Sequence, residues 1–314
     1  MKCRPLDPDH FELAGRLLRE SYPHRAHEPA WWQRSSEREQ MQRWGFFLHS
    51  TALADHLVAY AALWRVDAQK FRCDVIVGPP HRRRGYGNHL FEIVTCEAEH
   101  AAAETLQARA YATDVDSLAF LRRRQFVETM TMRGFVLSLA GNDVASLTAA
   151  ADSCSAPDVS IEVVSASASL SNHAEFWDKL ANLHDAAREG WPDPDPGGPV
   201  TSTDAARLRR MLLPSEDSPV AFLIASKGDQ FVGYSLLTRR LDTGEAQFAS
   251  TAVRPPMRGQ RIATALRARC ILSARDAGFA AVRSASGSTA LIRINARLGF
   301  QETYGEVRLV RRLR

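Results

Sequence analysis

A short pattern of residues occurs twice in this 314-residue chain, and each copy indicates a strand, a tight turn and the start of a helix. The first copy occupies residues 82–87, after an apolar stretch and a Pro-Pro pair, and the second occupies residues 258–263 in the same setting. The copies are offset by 176 residues (258 − 82), and each precedes an apolar helical stretch that ends in a phenylalanine, Phe126 or Phe300. This duplication predicts two domains of one fold.

The chain length agrees with two domains, because a domain averages about 150 residues. The composition, with 45% hydrophobic and 24% charged residues, is that of a globular protein with a sizeable core. Residues 141–157 are rich in Gly, Asn, Asp, Ser and Ala, which predicts a linker that contains a weak helical stretch. We therefore expect an N-terminal domain at 1–140 and a C-terminal domain at 158–314.

Several classes of protein are not expected from this sequence. No apolar run approaches the roughly 20 residues that span a membrane, and the N-terminus lacks a signal-peptide core, so we expect a cytoplasmic protein without a membrane partner. Five scattered cysteines predict neither a disulfide framework nor a metal site. The net charge is +4, but the arginine clusters are interspersed with acidic residues, so we expect no nucleic-acid partner.

Apolar periodicity gives a similar order of elements in both halves. Runs of strands with a few helices on their faces predict an α+β or mixed α/β sheet in each half. One further helix is expected from a capping box at Ser36 and Glu39, running through Trp44. Strands are predicted at 2–6, 46–53, 57–66, 71–77, 106–112, 126–139, 160–164, 220–226, 231–239, 247–253 and 281–285.

The turn between strand and helix has a chemical consequence. The first backbone N–H groups of a helix have no partners inside the helix, and the helix dipole adds partial positive charge, so such a turn binds phosphate groups. The pattern Arg/Gln-x-x-Gly-x-Gly/Ala, placed in a turn between a strand and a helix, resembles motif A of the GCN5-related N-acetyltransferases. In that family, motif A holds the pyrophosphate of acyl-CoA. Arg82, Gly85 and Gly87 fill its three fixed positions.

The resemblance extends over nearly the whole chain, twice. It implies two tandem acyltransferase domains, each a mixed, mostly antiparallel sheet flanked by helices, in a layout similar to that of mycothiol synthase. It also implies acetyl-CoA, or another acyl-CoA, as the cofactor. The implied cofactor-binding residues are Val75, Ile76, Val77, Arg82, Arg83, Arg84, Gly85, Tyr86, Gly87 and Asn88 in the first half, and Val253, Arg258, Gly259, Gln260, Arg261, Ile262, Ala263 and Thr264 in the second.

Both halves depart from the family pattern. Arg261 replaces the central glycine of the second turn, where glycine would let the backbone approach the pyrophosphate closely. Many family members have a tyrosine that protonates the leaving thiolate, but Leu121 and Asn295 stand at that position here. Neither is a general acid, although Asn295 can donate an amide hydrogen bond to the cofactor, with a helix residue that pairs with a neighbouring strand as the alternative. The intact glycines favour the first half as the catalytic one, whereas the resemblance to mycothiol synthase favours the second.

The catalytic and substrate-binding residues are less clearly encoded. The backbone N–H groups of Val77 and Val253 are expected at the thioester oxygen, as the resemblance implies. Asp74 and Glu245 are candidate bases, with an ordinary charge at the edge of a strand as the alternative for each. In the second half, Trp191, Asp193 and Asp195 suit a cationic amine, with a solvated Pro/Asp loop as the alternative.

Together these features predict an acetyl-CoA-dependent N-acetyltransferase that acts on the amine of a small metabolite, as a monomer or homodimer. Two alternatives stay open at this point. One is a non-catalytic acyl-CoA-binding or scaffolding protein, because both tyrosines are missing. The other is an acyltransferase that uses a different acyl-CoA.

Overall fold

The structure is a computed structural model that describes residues 2–22, 41–49, 55–67, 69–141, 143–164, 174–189, 204–212, 219–240 and 245–313. Among these residues the chain divides into two compact units. The first contains the described residues up to Met130 and those from Val307 onward. The second contains the described residues between Thr131 and Glu306.

The first unit is a sheet covered by helices on both faces. Strands β1 to β4 pair in antiparallel order, and β5 lies parallel to β4. A 3-10 turn at Pro79–His81 leads from β4 into helix α2. The elements are β1 (Lys2–Pro5), α1 (Phe11–Ser21), β2 (Gln42–His49), β3 (Asp55–Asp67), β4 (Lys70–Val77), α2 (Tyr86–His100), β5 (Thr105–Tyr111) and α3 (Val115–Arg122).

The second unit repeats this arrangement. Strands β7 to β10 pair in antiparallel order, β11 lies parallel to β10, and a 3-10 turn at Pro255–Met257 precedes α7. The predicted mixed, mostly antiparallel fold is therefore confirmed. The elements are α4 (Val144–Ala151), β7 (Val159–Val163), α5 (Ala174–Ala187), α6 (Ala205–Leu212), β8 (Ala221–Lys227), β9 (Gln230–Arg239), β10 (Ala246–Val253), α7 (Ile262–Asp276), β11 (Ala281–Ser286) and α8 (Thr289–Arg297).

The last strand of each repeat packs in the core of the other unit. Strand β6 (Val127–Ser138) pairs with β11 in antiparallel order, and Phe135 and Leu137 are buried in the core of the second unit. Strand β12 (Gln301–Arg312) ends in the first unit, where Val307 and Leu309 are buried with residues of α2. The core of the first unit is therefore completed by the last strand of the chain.

One segment differs from the expectation, and the helical stretch expected within the linker is present as α4. The helix predicted through Trp44 is wrong, because Trp44 lies within β2, between β1 and β3; Ser36 and Glu39 lie outside the described residues. The capping-box pattern placed a helix start before Trp44, but Trp44 pairs with Pro5 of β1 and Ala61 of β3, so its backbone is that of a strand. In the predicted linker, α4 is capped by the Asp143 carboxylate and buries Leu147 in the core of the second unit. The domain boundaries drawn from sequence stay a prediction.

Within the described part of the chain, no helix combines the length and the apolar character needed to cross a membrane.

Candidate active site

The first unit contains a gap between two neighbouring strands. Strand β4 pairs with β5 at residues 70–72, and the described register does not continue past Arg72. The N–H of Gly78 donates to Val58 O at 2.9 Å. Because backbone N–H groups alternate in direction along a strand, those of Val77 and Val75 point away from β3 and into the gap. Arg82 lies at the end of the gap, where its Nε donates to Val77 O at 3.2 Å.

The turn that follows β4 has an exposed backbone with two left-handed residues. Arg83 and Gly85 both have left-handed backbone conformations, with φ of 61° and 86°. Gly85 is the N-cap of α2, so the N–H of Gly87 has no acceptor within the helix. A Cβ added at Gly85 would have no atom within 4 Å. An exposed backbone beside arginines at the start of a helix is suited to phosphate groups, and the predicted role of this turn in binding acyl-CoA stays a prediction.

The turn before α7 has the same backbone conformation as the turn before α2, but its glycine and arginine occupy each other's positions. Gly259 and Arg261 are left-handed, with φ of 81° and 60°, and they stand at the positions of Arg83 and Gly85. Arg258 donates to Val253 O at 3.2 Å, as Arg82 does to Val77 O. A left-handed conformation costs a non-glycine residue about 1 kcal/mol. The fold therefore keeps this turn although Arg261 places a side chain where Gly85 leaves open space.

A cavity of about 410 Å³ connects the gap and the turn in the first unit. Its lining includes Asp74 and all the predicted cofactor residues of the first half except Arg84. Several other lining residues were not predicted from the sequence; they lie in β5, in α3 and directly after α1 and α3. The Arg-Arg pair after α3 was a signal for two of them. These residues are Tyr22, Arg109, Ser117, Phe120, Arg123 and Arg124.

Polar groups hold the walls of this cavity in place. Arg124 lies 3.5 Å from the ring centroid of Phe120 and donates to Asn88 Oδ1 at 2.5 Å. The Tyr22 hydroxyl donates to Asp114 Oδ2 at 3.1 Å, and the Asp114 carboxylate caps α3 by accepting from the N–H of Ser117 at 3.0 Å. Burial raises the pKa of Tyr22. Burial opposes ionisation of Asp114, but hydrogen bonds from Ser117 and Tyr22 lower its pKa overall.

Asp74, predicted as a base, lies against an arginine. Its Oδ2 is 3.5 Å from Nη2 of Arg109, which stands on the neighbouring strand across the gap. Both side chains line the cavity and are largely buried, with 13% of Asp74 and 22% of Arg109 exposed.

The corresponding region of the second unit contains a buried arginine. Strand β10 pairs with β11 at Ala246 and Gln247. Beside this pairing, Arg267 of α7 is 2% exposed and lies 3.6 Å from the ring centroid of Phe248. Burial lowers the pKa of Arg267 to about 9, so the guanidinium keeps its charge at neutral pH. It donates to Thr251 Oγ1 at 3.1 Å, Ser284 Oγ at 2.9 Å and Asn295 Oδ1 at 2.7 Å.

The first repeat has apolar residues at all four corresponding positions. The offset of 176 pairs Arg267, Thr251 and Ser284 with Phe91, Val75 and Ala108. The offset of 174 that relates Phe300 to Phe126 pairs Asn295 with Leu121. The two units therefore share a backbone but differ in the polarity of this part of the interior.

Two other predicted catalytic residues lie in this unit. Asn295 is fully buried, and its Nδ2 donates to Ser284 Oγ at 3.3 Å, so the contacts present are with the protein interior. Glu245 accepts from Nε and Nη2 of Arg283 and is 20% exposed. Their roles in catalysis stay predictions. The predicted substrate residues Trp191, Asp193 and Asp195 lie outside the described residues.

Comparison with known families identifies the fold. The model of the acetyltransferase (GNAT) family matches residues 11–126 and again residues 178–300, which together exceed half of the chain. The chain belongs to this family. Both the predicted family and its tandem arrangement are confirmed, and the protein is an acyl-CoA N-acyltransferase. None of the curated proteins compared with the chain matches it.

Solved structures with the same two-domain fold are distant in sequence. A tandem GNAT protein from the clavulanic acid biosynthesis pathway is 18% identical, with 99% of this chain and 98% of that chain covered and a TM-score of 0.73. A GCN5-related N-acetyltransferase from Sphaerobacter thermophilus is 17% identical, with 100% and 96% covered and a TM-score of 0.70. At these identities the likeness shows the fold alone.

Proposed function

We propose that the first unit transfers an acetyl group from acetyl-CoA to the amine of a small metabolite. The observation that carries this proposal is a single cavity lined both by the open turn at Gly85 and by the strand whose Val75 and Val77 N–H groups face the gap. A phosphate cradle and a pair of inward N–H groups are the two features that an acyl-CoA needs in order to be held and activated.

The residues around the cavity have distinct roles in this proposal. When bound, acetyl-CoA supplies a thioester carbon that the amine nitrogen attacks, so that a C–N bond forms and the C–S bond breaks. The N–H groups of Val75 and Val77 would stabilise the carbonyl oxygen. The Asp74 carboxylate would accept the amine proton, directly or through water.

The leaving thiolate also needs a proton, and Leu121 has none to give. Tyr22 offers a phenol hydroxyl within the lining of the cavity beside that helix: its Oη lies 3.3 Å from Ser117 Oγ, one helical turn before Leu121. We assign this proton transfer to Tyr22. Its position on α1, rather than on α3, explains why the sequence pattern did not reveal it.

For the second unit we propose a supporting role without acyl transfer. The guanidinium of Arg267 and its three acceptors occupy the interior where the first unit has Phe91, Val75, Ala108 and Leu121. The side chain of Arg261 stands at the position of Gly85 in the turn. Both differences disfavour acyl-CoA there.

The test combines binding stoichiometry with turnover. Native mass spectrometry of the full chain with acetyl-CoA is expected to show one molecule bound per chain, and incubation with a panel of small amines is expected to release free CoA thiol. Two molecules bound per chain would contradict the proposed role of the second unit. Binding without thiol release for any amine would indicate the non-catalytic alternative. Faster release of CoA thiol from malonyl-CoA or a longer acyl-CoA would indicate a different acyl donor for the same transfer reaction.

A further inference from the structure

An ion pair lies inside the cavity on the face of the sheet opposite helix α2. Cys73 of β4 and Ala108 of β5 are buried in the core that contains Leu90 and Phe91 of α2. Side chains alternate between the two faces of a strand, so Asp74 and Arg109 point to the other face. That face is covered by α1, and Ile76 packs there. The gap between β4 and β5 therefore joins a cofactor face, with the turn at Gly85, to a second face that carries Asp74 and Arg109.

The fold itself does not need these charges. At the offset of 176 residues, the second unit has Ser250 in place of Asp74 and Ala285 in place of Arg109. The strands have the same order and directions in both units. Removing a carboxylate and a guanidinium from water costs free energy, and the neutral residues at these positions in the second unit avoid that cost. The first unit, which contains the cavity, has this ion pair, whereas the second unit has neutral residues at both positions. This difference points to a ligand of the first unit.

The two charges match a particular arrangement of ligand groups. A guanidinium binds a carboxylate through parallel N–H donors, and a carboxylate binds an ammonium group. An α-amino acid carries its ammonium and carboxylate on one carbon, so both groups can contact protein charges that lie 3.5 Å apart. The amine would then lie beside Asp74, next in the chain to Val75, whose N–H faces the gap.

We propose that Asp74 and Arg109 form the binding site for an acceptor that carries a carboxylate beside its amine, as an α-amino acid does. This inference rests on the proposed function of the first unit, and it names the class of acceptor. Arg109 binds the carboxylate, and Asp74 orients the amine towards the gap. An amine without a neighbouring carboxylate leaves Arg109 without its ligand.

Binding provides the first test, and it needs no variant. Each proteinogenic α-amino acid is compared with its own α-carboxamide by calorimetry, on the full-length protein with free CoA present. The carboxamide keeps the amine and the side chain but lacks the negative charge. We expect at least one acid to bind about tenfold more tightly than its carboxamide, because only the acid forms charge-assisted bonds to Arg109. Carboxamides that bind as tightly as the acids, or acids that do not bind, would overturn the proposal.

A pair of variants then assigns the effect to Arg109. Arg109→Gln is expected to remove the preference for the acid while leaving the affinity for acetyl-CoA within about twofold of wild type, which also reports that the unit is folded. Arg122→Gln is the matched control, because Arg122 belongs to the same unit and pairs with Glu128, outside the lining of the cavity. It should keep the full preference. Equal preference in Arg109→Gln and Arg122→Gln would overturn the assignment.

Turnover separates this inference from the function on which it rests. If acids bind selectively but no acid releases CoA thiol, the proposed transfer fails while the binding site stands. If simple amines release thiol and acids show no binding advantage, the transfer stands and the acceptor class proposed here is wrong.

Discussion

Nη2 of Arg267 donates to the side-chain oxygen of Asn295 at 2.7 Å, in the interior of the second unit. Asn295 is fully buried, and Arg267 is 2% exposed. The guanidinium also lies over Phe248 and donates to two hydroxyl oxygens. A buried cation held by neutral acceptors is stable only while those acceptors remain, because an uncompensated charge in the interior is costly.

Replacing Asn295 alone should therefore damage the second unit. Asn295→Leu removes the acceptor of the shortest hydrogen bond to Arg267 and is expected to lower the free energy of unfolding by about 3 kcal/mol. The double variant Arg267→Met with Asn295→Leu removes the charge as well, and approaches the apolar interior of the first repeat. It should be more stable than Asn295→Leu alone. Urea denaturation in a double-mutant cycle measures the coupling, and strictly additive effects would contradict this account.

Cofactor binding should depend on one of two glycines with the same backbone. Gly85→Asp places a side chain and a negative charge against the pyrophosphate, and we expect the affinity for acetyl-CoA to fall at least about tenfold. Gly259→Asp is a matched control, because Gly259 is also left-handed and a Cβ there also meets open space. It should bind acetyl-CoA as wild type does. Calorimetry distinguishes the two, and a larger loss in Gly259→Asp would move the site to the second unit.

Strands β6 and β12 should each stabilise the unit in whose core they are buried. Leu309 is fully buried in the core of the first unit, although it lies near the end of the chain. Leu309→Ala is expected to destabilise that unit by about 3 kcal/mol, because truncation of a buried leucine leaves a cavity. Hydrogen exchange should rise in β3 and β4. Leu137→Ala, in β6, is the complementary variant and should raise exchange in β9 and β10 instead. The opposite pattern would contradict the assignment of β6 and β12 to the two cores.

The second unit should lose stability in mild acid. His184 is 5% exposed, and its Nδ1 lies 2.7 Å from the Tyr234 hydroxyl. Burial lowers the pKa of His184 from 6.5 to about 4. Between these values the unfolded chain binds a proton that the folded unit does not, so the free energy of unfolding should fall by on the order of 2 kcal/mol as the pH drops from 6.5 to 4. His184→Gln cannot titrate, and its stability should fall less over that range. An equal fall in both proteins would assign the effect to other groups.

The sequence by itself determined the family, the duplication and the turn at Gly85. These features are local, because a left-handed glycine, a strand before it and a helix after it are encoded by neighbouring residues. Asp74 was also identified as a candidate base from its place on the strand before the turn. The helix expected through Trp44 failed because a capping box is a local pattern, whereas Trp44 is held in β2 by its pairing with β1 and β3.

Only the tertiary structure decided which residues meet at the candidate site. Tyr22 follows α1, and Asp74 and Arg109 lie on β4 and β5; the three side chains line one cavity because two parallel strands separate after a short pairing. The interior network of Arg267 likewise depends on residues from two strands and a second helix. Contacts between distant parts of the chain follow from packing and hydrogen-bond geometry in three dimensions, and neither leaves a periodic or local signal in the sequence.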